Sequence, residues 1–146
     1  MRLKFQFGSQ SGFSVTELMI IIVIIGILAS VAIASYQTRV RQAHLATIYH
    51  EINEFRAPYQ ILVYEGSGVT TFSPSGLNLS ENTQYCRFSV TAPHENGLIT
   101  NAVTCTIQNL NYLQGQSLTL DRAADDNWSC RASRGISKSY LPQACR

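Results

Sequence analysis

From Leu18 to Ala34 the chain carries no charged residue, and from Tyr36 onward apolar and polar positions alternate with the spacing of a one-sided helix. At about 1.5 Å per residue the first stretch makes a rod about 25 Å long, close to the thickness of bilayer hydrocarbon. In the second stretch Val40, His44, Ile48, Ile52, Phe55, Tyr59 and Leu62 advance by four or three residues, while Arg39, Arg41, Gln42, Glu51, Asn53, Glu54 and Arg56 fall off that line. The pattern predicts a single helix from about Phe13 to about Tyr64, apolar all round in its first half and amphipathic in its second. Pro58 should bend it, since its ring removes a backbone hydrogen bond and crowds the preceding turn, and Gly66 should end it.

Beyond Gly66 the composition turns to Gly, Ser, Thr, Pro and Asn through Thr83, which predicts a loop-rich connection. Runs with strand character follow at Tyr85 to Thr91 and Ile99 to Ile107, with a turn-forming Pro93, His94, Glu95, Asn96, Gly97 between them. Pairing symmetric about that turn sets Cys86 opposite Cys105 and Phe88 opposite Val103, so Cys86 to Cys105 is the first expected disulfide. Ser117 to Asp121 and Asn127 to Arg131 read as third and fourth strands with a turn between. A long helix followed by an antiparallel sheet places the chain in the α+β class.

Charge sets the amino end apart. Gly12 closes a segment, residues 1–12, that holds Arg2 and Lys4 but no acid, a distribution that keeps it on the cytoplasmic face. Glu17 stands alone at the edge of the apolar run, and a carboxylate drawn into hydrocarbon costs about 2 to 4 kcal/mol unless it finds a partner. No Lys or Arg lies between Lys4 and Arg39, so the cation within reach would be a new amino terminus cut close to Glu17. An ordinary secretory signal discards its apolar run; here the run follows Gly12 and would be kept.

Gly12, Phe13 and Glu17 followed by LMIIIVIIGILA resemble the type IV pilin signature. That resemblance implies cleavage by a prepilin peptidase between Gly12 and Phe13, N-methylation of Phe13, and an assembly salt bridge between Glu17 and the amine of Phe13 on a neighbouring subunit. It divides the chain into a leader at 1–12, a hydrophobic filament-core helix at 13–35 and a periplasmic or extracellular domain at 36–146. The implied fold packs the second half of the helix on a four-stranded antiparallel sheet. The remaining cysteines, Cys130 and Cys145, would close the tail, and this resembles the C-terminal disulfide loop of type IVa pilins. One departure is Ala34, where many pilins carry a Pro and the helix is described as melting ahead of it; Ala favours helix by about 3 kcal/mol over Pro.

Loss of the leader would take two of the eleven basic residues and none of the nine acidic ones, leaving nine of each. A formally neutral chain argues against a generally nucleic-acid-binding surface. Four cysteines, all beyond the apolar run, fit two disulfides in an oxidising compartment. Gly26, Ser30 and Ala34 recur every four residues and would let helices approach closely.

Local chemistry is sparse. The sequence HEINE, from His50 to Glu54, lacks the second His that a zinc-protease helix needs, and Asp121, Asp125 and Asp126 do not have the spacing of a calcium loop, so no metal or other cofactor is expected. There is no CxxC pair, phosphate-binding glycine loop or recognisable Ser, His and Asp motif, and the chain does not read as an enzyme. Arg131, Arg134 and Lys138 form a tail free of acids after Asp126, flanked by Trp128 and Tyr140, and are the candidate DNA contacts; a solvated basic loop is the simpler reading.

The resemblance implies a structural pilus subunit that polymerises with itself into a helical homopolymer. Its implied partners are the prepilin peptidase, an inner-membrane assembly machinery with cytoplasmic ATPases, minor pilins, and DNA or surfaces. The precursor would sit in the inner membrane and the product in an extracellular filament serving adhesion, twitching motility and DNA uptake. The alternatives are a minor pilin acting as DNA receptor and a pseudopilin of type II secretion.

Overall fold

A computed structural model describes residues 12–65, 71–94 and 99–146. Gly66 and the turn residues Glu95, Asn96 and Gly97 lie outside the described residues. The chain divides into two compact units, one ending at Gln37 and the other running from Thr38 to Arg146.

In the first unit, helix α1 (Val15–Asn53, which continues into the second unit) starts from Ser14 in a reciprocal cap. The Glu17 backbone N–H donates to the Ser14 hydroxyl at 3.3 Å, and the Ser14 N–H donates to the Glu17 carboxylate at 2.9 Å. Two amides that a helix start leaves without partners are thereby satisfied. The helix runs unbroken through Gly26 and Ala34. Ser30 turns its hydroxyl back onto the Ile27 carbonyl at 2.7 Å, which removes a polar group from the apolar surface.

The second unit contains the remainder of α1, a short helix α2 (Arg56–Glu65) and a sheet of β1 (Cys86–Val90), β2 (Ile99–Ile107), β3 (Ser117–Arg122) and β4 (Trp128–Ala132). All neighbours are antiparallel in the order β1-β2-β3-β4, a meander. Facing the core are Leu45, Ile48 and Ile52 of α1, Phe55 between the helices, and Tyr59 and Leu62 of α2. Against them lie Cys86 and Phe88 from β1, Val103, Cys105 and Ile107 from β2, and Leu118 and Leu120 from β3.

Three expectations are corrected. The buried stripe enters at Leu45, not His44: both positions keep helical spacing to Ile48, but an imidazole inside needs a buried partner and Leu does not. His44 instead stays at the edge, with Nδ1 2.7 Å from the Tyr112 hydroxyl. The single helix is two, and the break falls at Glu54 and Phe55, ahead of Pro58. Pro58 sits in the first turn of α2, where no amide is needed, and its ring crowds the carbonyl four residues earlier, that of Glu54.

The third correction concerns register. Cys86 faces Ile107 and Phe88 faces Cys105, an offset of two residues from pairing symmetric about the turn. On its other side β2 is irregular against β3 between Ile99 and Val103, and Asn101 takes a left-handed φ of 59°. An even offset preserves which side chains point inward. The two cysteines therefore remain on one face as diagonal neighbours, with Cα atoms 5.3 Å apart and a disulfide between them.

Both outer strands are covered. Ahead of β1 the chain doubles back, with the Phe88 N–H donating to the Glu81 carbonyl at 2.8 Å and Asn82 bridging to Arg87. Beyond β4 the tail turns at Gln143–Cys145 and is bonded to the strand through Cys130–Cys145, whose Cα atoms are 4.5 Å apart. Ile136, Leu141 and Cys145 are buried and hold the tail down.

Tyr59 is fully buried and donates its hydroxyl to the Thr91 carbonyl at 2.7 Å. Burial pushes its pKa up from 10.0 to about 12, against a smaller downward pull from the Arg122 charge. Below about pH 10 the phenol is protonated in folded and unfolded chains alike; between about 10 and 12 only the unfolded chain gives up the proton, so stability falls as pH rises. Thermal melts across that window should show a drop that is smaller in Tyr59→Phe, and an equal drop in the two proteins would contradict it.

Candidate assembly face and basic tail

The apolar half of α1 presents its side chains outward around its circumference. Ile20, Val23, Leu28 and Val31 are 61, 59, 66 and 65 % exposed, values expected of surface loops and not of an uninterrupted aliphatic run. Among the described residues, one helix is long and apolar enough to cross a membrane, and it is this one. An exposed apolar surface this extensive marks a lipid or protein contact. Gly26, with Ser30 and Ala34 below it, leaves open space where a Cβ would sit.

Glu17 closes the lower end of this surface. Besides the cation that the sequence leads one to expect from a cut amino terminus, the carboxylate has a partner within its own chain, because the Ser14 N–H donates to one carboxylate oxygen. That hydrogen bond lowers the cost of burying the group without removing its charge. The Ser-x-x-Glu spacing of such a cap is present in the sequence from Ser14 to Glu17, overlapping the cleavage motif. Gly12 and Phe13 precede the helix outside any regular element, and Phe13 is 75 % exposed.

At the other end of the chain, Arg131, Arg134, Lys138 and Arg146 line one cavity of about 350 Å³ whose floor is Ile136, Leu141 and the Cys130–Cys145 bond. The three candidate DNA contacts are not equivalent there. Arg131 is held by Asp121 through two hydrogen bonds of 3.0 Å and reaches the Asn101 side chain at 2.8 Å. The Asp121 hydrogen bond, and then its charge, raise the Arg131 pKa above its ordinary value. Its charge is thus already neutralised locally, whereas no ion pair joins Arg134 or Lys138 to a carboxylate among the described residues.

Asp121 of β3 and the turn residues Asp125 and Asp126, which a calcium loop would gather, are dispersed among separate partners. Asp121 takes Arg131 and the Asn101 N–H, Asp125 takes Asn127, and Asp126 takes Arg122 and the Tyr64 hydroxyl. Among the histidines, His50 Nδ1 stands 3.6 Å from Glu54 on the exposed side of α1. One tail contact has no signal in the linear pattern: Arg41 lies 5.0 Å from the Tyr112 ring and 5.5 Å from that of Tyr140, and donates to the Tyr140 hydroxyl at 3.2 Å. Together with Gln42, which donates to the Ser139 carbonyl at 3.0 Å, it ties the tail loop to α1.

The chain is similar to known proteins over nearly its whole length. A family model described as pilin, of bacterial filaments, matches residues 38–146. Fimbrial protein EcpC of Eikenella corrodens is 32 % identical, over 94 % of this chain and 91 % of its own. The type IV major fimbrial protein FimA of Dichelobacter nodosus is 29 % identical, over 94 % and 97 %, and a probable minor fimbrial protein of the same organism is 26 % identical, over 92 % and 94 %. The family model rests on the sheet-bearing unit, whereas the motif at Gly12, Phe13 and Glu17 lies outside it, so two separate parts of the chain carry the likeness. With the long apolar helix, the four-stranded meander and the disulfide-closed tail, this chain belongs to the pilin family of bacterial filament proteins.

Proposed function

We propose that this chain is a structural subunit of a type IV pilus, made as a membrane precursor, cut between Gly12 and Phe13, and polymerised through α1. The observation that carries the reading is the outward-facing aliphatic run closed by a single carboxylate at Glu17. Such a surface is poorly tolerated in water, and its acid poorly tolerated in lipid. Packing against copies of itself resolves both. Cleavage frees the amine of Phe13, which can pair with Glu17 of a neighbouring subunit, and the pair's attraction strengthens as water leaves the core. Withdrawal from the membrane needs work, supplied in this reading by cytoplasmic ATPases of an inner-membrane machine. Adhesion, twitching movement and DNA uptake are the corresponding outputs, with the precursor in the inner membrane and the filament outside the cell.

Mass spectrometry of sheared surface fibres tests the reading: the expected chain begins at N-methylated Phe13 and is the main component. A fibre-associated chain that still begins at Met1 would refute it. The second reading, a scarce minor subunit that receives DNA, is favoured by the cavity beside Arg134 and Lys138 and by the likeness to a probable minor fimbrial protein. It is separated by the same measurement, since it requires the chain to be a trace component of the fibres.

A further inference from the structure

Where α2 meets the end of the sheet, the described residues place three hydrogen-bond donors in the interior with nothing to receive them. They are Nε of Arg56, Nε of Arg122 and Nε1 of Trp128. All three lie around Trp128, beside Tyr59. Its ring packs edge-on against the Trp128 indole with centroids 5.5 Å apart, and Arg56, one turn earlier on the same face of α2, lies 5.8 Å from that indole. Arg122 is opposite Trp128 on the β3–β4 ladder and is only 4 % exposed.

An orphaned buried donor costs about 1 to 3 kcal/mol, and more when it is charged. Oδ1 of Asn53, on α1, is a buried acceptor without a partner, but the three atoms around Trp128 are all donors and call for a ligand that only accepts. Charge points the same way. Asp126 pairs with Arg122 and also receives the Tyr64 hydroxyl, but no ion pair joins Arg56 to a carboxylate among the described residues. One positive charge in the cluster is thus uncancelled there. A metal cation is excluded by that sign, and a single water can accept only two hydrogen bonds while bringing two protons of its own. An oxyanion has several acceptor sites and the opposite charge. The three donor atoms lie just beneath the surface, since Arg56 as a whole is half-buried and the Asp126 side chain beside Arg122 is 37 % exposed.

We propose that Arg56, Arg122 and Trp128 form a binding site for an oxyanion: a carboxylate, phosphate or sulfate group. Its source is a free anion or a carboxylate of a second copy of this chain. The site is separate from the apolar run and from the tail cavity.

Trp128 is the sole tryptophan, so its fluorescence reports the site directly. The full-length chain in detergent micelles is titrated with inorganic phosphate, with chloride holding ionic strength constant. The expected result is a saturable change, an accompanying rise in melting temperature with phosphate concentration, and a midpoint raised about tenfold in Arg56→Gln, as loss of one charge-assisted hydrogen bond requires. Arg87→Gln, which removes an exposed cation on β1, should titrate like the parent. Assembled filaments then distinguish the sources: a retained phosphate response means a free anion, and a response lost on assembly means that a neighbour's carboxylate fills the site. Absence of a saturable signal in micelles, the same signal from chloride alone, or an Arg56→Gln midpoint equal to the parent's overturns the proposal.

Discussion

Glu17→Ala is expected to leave the protein in the membrane fraction at near-normal levels while surface filaments fall at least tenfold. Two roles end together in that variant: the carboxylate that caps α1 through Ser14, and the charge available to a neighbouring amine. The cap is worth about 1 kcal/mol, and the apolar run below it does not depend on the cap to stay in lipid. Leaving a cation unpaired in a dry helical bundle costs about 3 to 5 kcal/mol per contact, enough to shift each addition step by a factor of a hundred or more. Glu17→Gln separates the two roles, because a glutamine can still receive the Ser14 N–H but carries no charge. If charge pairing governs assembly, filaments of the Glu17→Gln variant should be as scarce as those of Glu17→Ala. Normal piliation in Glu17→Gln, counted by electron microscopy of fibres, would assign the carboxylate to capping alone and remove the intersubunit pair from the mechanism.

The second large effect is expected from the tail. Replacing Cys130 and Cys145 together by Ala releases a loop closed over 15 residues, which the chain-entropy account values at about 3 kcal/mol. For a domain of this size that is a fall in melting temperature of roughly 10 °C or more. The tail would not come free altogether, because Ile136 and Leu141 remain buried and Arg41 still holds Tyr140. The damage should therefore concentrate at β4 and the tail cavity, visible as faster amide exchange there than in β2. A melting temperature within about 2 °C of the parent would mean that the side-chain anchors alone secure the tail.

How much of this can be read from the chain depends on the reach of the determining interaction. The apolar rod, the helical stripe through Ile48, Ile52, Phe55, Tyr59 and Leu62, and β2 at Ile99–Ile107 are legible because periodicity is local. The register of β1 on β2 is not, since pairing symmetric about the turn is only one of several registers that keep the same faces inward, and the irregularity of β2 against β3 near Asn101 answers to Asp121 and Arg131 on other strands. The position of the helix break is half legible: Pro58 names the cause, but the effect falls four residues earlier. Among candidate site residues, Arg131 looks equivalent to Arg134 and Lys138 in a linear reading. Only the Thr119 to Arg131 and Asp121 to Ser129 pairings of the folded sheet bring Asp121 beside it.

The treatment of the sheet margins has a consequence for crowding. A free margin offers a row of amides and carbonyls to any extended chain, and subunits held at high local concentration would be prone to zip together there. Here the segment from Glu81 to Asn82 pairs along part of one margin, and the cystine-pinned terminus is held beside the other. Sticking through backbone pairing is suppressed, and the greasy rod is left as the chief self-adhesive surface among the described residues. Copies can then be densely stored before use without tangling by their sheets.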